Sequence, residues 1–77
     1  MSTQHYNLIH RVEIAAKCAG YSTMVAAIQA QSVVGTLGEA GERIKAAADR
    51  ADAAVKELSA LTEKLALAAL NDALVNG

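Results

Sequence analysis

At 77 residues, with seven basic side chains against eight acidic ones and a formal charge of −1, the chain is one domain whose charge balance supplies no global electrostatic pull toward nucleic acid or an anionic membrane surface. Hydrophobic residues make up 53% and aromatic residues only 3%, with no Phe, Trp or Pro. That is the composition of alanine-rich helices rather than of sheet or disorder. Cys18 stands alone, which excludes an internal disulfide and a cysteine-based metal framework and fits a reducing cytoplasm.

The N-terminal stretch holds no signal-peptide core, because Gln4, His5, Asn7 and His10 interrupt its apolar residues. A first helix is expected over residues 3–34, with Ser2 or Thr3 as its cap. Tyr6, Ile9, Val12, Ala16 and Ala19 fall on one stripe of it, and Ile14, Cys18, Tyr21, Val25 and Ile28 on a second. Two adjacent stripes make an apolar face wider than one neighbouring helix covers. Gly20-Tyr21-Ser22-Thr23 is where this helix could break, since glycine is a poor helix former and Ser22 or Thr23 could cap a new segment.

No charged side chain lies between Lys17 and Glu39. The run is long enough to span a bilayer, and Ser22, Ala26 and Ala30 recur at the spacing of close-packed helices. Gln29 and Gln31, with Tyr21, Ser22, Thr23, Ser32 and Thr36, argue against a span, because unpartnered amides are costly in hydrocarbon. The run is instead expected to meet a partner through Tyr21, Met24, Val25, Ile28, Val33 and Val34.

A turn is expected at 35–37. Gly35 suits the left-handed end of a helix, and Thr36 with Glu39 has capping-box spacing. The second helix is then expected over 37–75, antiparallel to the first, with Asn76 and Gly77 as its stop. Its expected seam follows near-heptad steps through Leu37, Gly41, Ile44, Ala48, Ala51, Val55, Leu58, Leu61 or Thr62, Leu65 and Ala69. Glu39 with Arg43, and Asp52 with Lys56, form acid-first pairs four apart on its flanks.

Residues of catalytic type do not converge. His5 and His10 are five apart and so lie on different helix faces, while Cys18 beside an apolar stripe reads as a small core residue. Gly35, Gly38 and Gly41 fit a hinge better than a phosphate loop, and Asp49 and Asp52 stand beside Arg50 and Lys56. No enzyme activity, metal or cofactor is expected. Ala16-Lys17-Cys18-Ala19-Gly20-Tyr21-Ser22 resembles the corner of a helix-turn-helix DNA-binding unit, which implies a recognition helix over 24–31. That segment offers Gln29 and Gln31 to bases and no cation to phosphates.

The sequence thus points to an all-α chain. The expected architecture is an antiparallel helical hairpin, and it is expected to assemble into a four-helix-type bundle with itself or with another helical protein. The expected function is a non-enzymatic interaction module: an adaptor, regulator or inhibitor. The alternatives are a structural subunit of a helical assembly and a DNA-binding regulator. In size and layout the chain resembles small bacterial helical-hairpin adaptors such as secretion co-chaperones and plasmid regulatory hairpins.

Overall fold

Two helices and a short turn account for the computed structural model, which describes the backbone of residues 2–76 and the side chains of 4–75. Helix α1 is Ser2–Val34 and helix α2 is Glu39–Asn76. At about 1.5 Å per residue the 38 residues of α2 span about 57 Å, and the molecule measures 57 × 13 × 12 Å. Its radius of gyration is 17.2 Å, against about 11.5 Å for a compact domain of this length. The cap expected from Ser2 or Thr3 and the stop at Asn76–Gly77 fall on side chains outside the described residues.

Helix α1 runs unbroken through Gly20. The Thr23 hydroxyl lies 3.2 Å from the Gly20 carbonyl one turn back, so the residue that could have capped a new helix is held within the existing one. The expected helix over 3–34 is thus continuous where a break was open to it, and the helix-turn-helix corner is not formed.

The turn differs from expectation in its last residue. It spans 35–38, and Gly38 rather than Gly35 takes the left-handed backbone, with φ of +60°. The Gly38 carbonyl accepts the Glu42 N–H at 3.1 Å and so opens α2. Thr36 does not cap α2. Its hydroxyl lies 3.4 Å from the Ser32 carbonyl, and Leu37 N–H donates to Val33 O at 2.9 Å, so both residues continue the end of α1.

The helices meet along a seam of small side chains. The position of a Cβ on Gly20 would lie 3.6 Å from Val55 Cγ1, and the Thr23 hydroxyl lies 3.2 Å from Asp52 Oδ1. Gly41 packs against Val33 and Val34. All three contacts fit one antiparallel register, in which positions totalling 75 face each other. Along α1 the seam runs Tyr6, Ile9, Glu13, Ala16, Gly20, Thr23, Ala27, Ala30 and Val34. Along α2 it runs Gly41, Lys45, Ala48, Asp52, Val55, Ser59, Thr62, Ala66, Ala69 and Ala73. Each of these residues is buried or half-buried. The steps alternate three and four throughout, the heptad pattern of a coiled coil.

Among the described residues the buried apolar side chains are Ala16, Ala30 and Ala66, joined by Glu13 and Thr62. The Thr62 hydroxyl satisfies itself on the Leu58 and Ser59 carbonyls, at 2.9 and 3.1 Å. The expected α2 seam is therefore half corrected. Gly41, Ala48, Val55, Thr62 and Ala69 do face α1. The neighbouring column, Leu37, Ile44, Ala51, Leu58 and Leu65, is exposed. Its place is taken by Lys45, Asp52, Ser59, Ala66 and Ala73, and beside the turn the approach at Gly41 leaves no room even for a methyl group.

Candidate interaction surface

A seam built of small residues sends the large ones outward. Among the described residues fifteen large apolar side chains are exposed, including Leu58 at 42%, Leu65 at 46%, Ile28 at 62% and Tyr21 at 69%. They fall on two flanks of the hairpin, one on each side of the seam.

The first flank follows the displaced column of α2. Leu37, Ile44, Ala51, Leu58 and Leu65 repeat every seven residues, with Ala40, Ala47, Ala54, Leu61 and Ala68 between them. The register sets Val12, Ala19, Ala26 and Val33 of α1 alongside Leu65, Leu58, Ala51 and Ile44. Leu8, Ala15, Ser22 and Gln29 complete it outside α1. From Leu8 to Val33 and from Leu37 to Ala68 this flank contains no Asp, Glu, Lys or Arg. Large residues stand toward its two ends and alanines fill its middle.

The second flank is mixed. On α1 it carries Ile14, Tyr21, Met24 and Ile28, and on α2 Glu42, Asp49, Lys56 and Glu63, followed by Leu67, Leu70 and Leu74. An open groove of about 410 Å³ runs along it between Met24, Ile28 and Gln31 on one side and Lys45 and Asp52 on the other. Of the six residues expected to meet a partner, Tyr21, Met24 and Ile28 share this flank, spaced three and four apart. Val25 lies half-buried on the back of α1. Val34 ends the seam, and Val33 belongs to the first flank. The six do not form one patch.

The back of α2 is charged, through Arg43, Arg50, Glu57 and Lys64. The two pairs expected on this helix are present: Arg43 lies 3.4 Å from Glu39, and Lys56 lies 3.0 Å from Asp52. Lys45 also holds Asp49, at 2.6 Å. Cys18 is exposed on the back of α1, which corrects its reading as a core residue.

Polar chemistry concentrates at two seam positions: Glu13, which sequence reasoning passed over, and Asp52, which it placed on the flank of α2. Glu13 is only 7% exposed. Its carboxylate lies 2.9 Å from His10 Nδ1 and 3.5 Å from Lys17 Nζ, and the His10 ring stacks on Tyr6 with centroids 5.3 Å apart. The hydrogen bond with His10, and then Lys17, hold the Glu13 carboxyl below its usual range against the opposing effect of burial. Asp52 is likewise held down, first by Lys56 and then by the Thr23 hydroxyl. The available signal was local: partners three and four residues from Glu13, and four from Asp52.

Among the described residues no group of three or more His, Cys, Asp and Glu side chains could hold a metal ion. Among the same residues no helix is long and apolar enough to cross a membrane. Comparisons with models of protein families, with curated proteins and with solved structures find no match. The fold and its surface define the class, an antiparallel two-helix hairpin with apolar flanks.

Proposed function

We propose that this chain is a non-enzymatic protein–protein interaction module, working in the cytoplasm, that acts by packing its exposed aliphatic flanks against other helices. One observation carries the reading: the hairpin closes its seam largely with small side chains such as Ala16, Ala30, Thr62 and Ala66, while its described leucines, Met24 and every isoleucine but Ile9 stand exposed outside it. A core of alanine methyl groups removes little surface from water at about 25 cal/mol per Å². An elongated two-helix chain stabilised so weakly gains most of its hydrophobic free energy only when a further layer of helix covers it.

The reading is tested by melting the purified chain at increasing concentration. An interaction module stabilised by association melts at a higher temperature as concentration rises. A cooperative transition independent of concentration in a species of one chain's mass would overturn the proposal.

A second reading is a structural subunit of a larger helical assembly. The apolar residues on both flanks, Leu58 and Leu61 on one and Tyr21 and Ile28 on the other, favour it because each copy could then touch two neighbours. Growth in mass without a limit is its signature.

A further inference from the structure

We infer that the charge-free flank is the contact face of a closed homodimer, in which two hairpins stack face to face into a four-helix bundle. The inference rests on the functional reading above and adds to it the identity of the partner, a second copy of this chain, and the face it uses.

Three observations select a second copy as the occupant. The first is electrostatic. In a two-fold contact each side chain meets a surface identical to its own. A face bearing charges of its own would need each one matched, whereas the Leu58 flank has no charge between its ends, and the Met24 flank has Lys17, Glu42, Asp49, Lys56 and Glu63. A foreign partner selected by charge complementarity would find nothing on the Leu58 flank to read.

The second is area. The charge-free stretch runs along about 30 residues of α2 at about 1.5 Å each and, at 13 Å wide, projects about 580 Å², most of the roughly 800 Å² that each partner buries in a stable interface of standard size. The third is the surface of the chain itself. Its accessible area is 5512 Å² at 8.0 kDa, whereas a compact monomer of that mass exposes about 4,450 Å². The excess of about 1,000 Å² follows from the rod shape of the hairpin, and burying one long face would remove most of it. The heptad repeat on this flank, with Ala47 and Ala54 alternating with Ile44, Leu58 and Leu61, supplies knobs and the holes to receive them.

The test combines light scattering on a sizing column with thiol labelling. The wild-type chain is expected at about 16 kDa, twice the 8.0 kDa monomer. Leu58→Glu is expected to weaken self-association by about a hundredfold or more, because it places an unpaired charge in the contact. Ile28→Glu, on the other flank, is expected to leave the dimer intact.

Because Leu58→Glu could also unfold the chain, two milder variants are made in a Cys18→Ser background: Ala54→Cys on the charge-free flank and Ala53→Cys on the opposite one. Maleimide should label the thiol at position 54 more slowly as protein concentration rises, and the thiol at position 53 at a constant rate. Dimer loss in Ile28→Glu with retention in Leu58→Glu, or protection at position 53 in place of 54, would overturn this face while leaving the functional reading standing. Mass that keeps growing beyond two chains would overturn the closed dimer. A cooperatively folded monomer at high concentration would overturn both.

Discussion

Gly20 and Gly41 look alike in the sequence, each an unfavourable residue within a helical stretch, and the packing separates them. A methyl group on Gly41 would overlap the Val33 carbonyl oxygen and sit 2.8 Å from its carbon and 3.1 Å from Val34 Cα, all backbone atoms that cannot swing aside. A methyl on Gly20 would meet only Val55 Cγ1, at an ordinary 3.6 Å. Gly41→Ala should therefore cost about 1–3 kcal/mol of overpacking, and Gly20→Ala should stabilise by about 0.5–1 kcal/mol through helix propensity. Urea titrations at one fixed protein concentration check the two signs. From sequence alone the first glycine marks a possible break and the second part of a hinge, because propensity is local and the cause here lies on the facing helix.

Glu13 and Asp52 give the seam a pH dependence of definite sign. Both carboxyls are held below their usual range in the folded hairpin, so the stabilisation they supply is full at neutral pH and fades as the pH falls through the carboxylate range. The melting temperature should drop between pH 7 and pH 3, and Glu13→Gln with Asp52→Asn should flatten that slope. An unchanged slope in the double variant would show that other carboxylates carry it.

At the scale of the element, the class, the hairpin and the two helix spans were legible because long uninterrupted periodicity and a glycine-rich turn are strong local signals. The rotation of α2 was not. Columns seven residues apart are easily found, but choosing between the Leu58 column and the Ala66 column requires knowing how closely the helices approach, and hydrophobicity alone favours leucine. The register here follows from Gly41, Gly20 and the Thr23–Asp52 contact, which composition does not weight. The exposed position of Leu65 has a measurable result. Leu65→Ala should destabilise little when the protein is dilute and by about 2–4 kcal/mol per site when it is associated, since only association buries the side chain. Melts of wild type and variant across a concentration series should diverge as concentration increases. A constant offset would mean that Leu65 is interior to the single hairpin.

At the scale of the molecule, shape converts the dimer into a number. The single hairpin has a radius of gyration of 17.2 Å along a rod 57 Å in length. Helix layers pack about 10 Å apart, so by the parallel-axis relation face-to-face stacking moves each centre only about 5 Å from the common one and raises the radius to about 18 Å. Joining the same rods end to end would separate their centres by 57 Å and raise it to about 33 Å by the same relation. Small-angle scattering should thus show the forward intensity per mole of chain doubling while the radius of gyration increases by about 1 Å, since layers about 10 Å apart add thickness and no length. That combination is diagnostic because it requires the long flanks, and not the helix ends or the turn, to be the surfaces in contact. A doubled mass with a radius near 30 Å would place the contact at the Leu74–Val75 end or at the Gly35–Gly38 turn, and the long charge-free flank would then have no part in it.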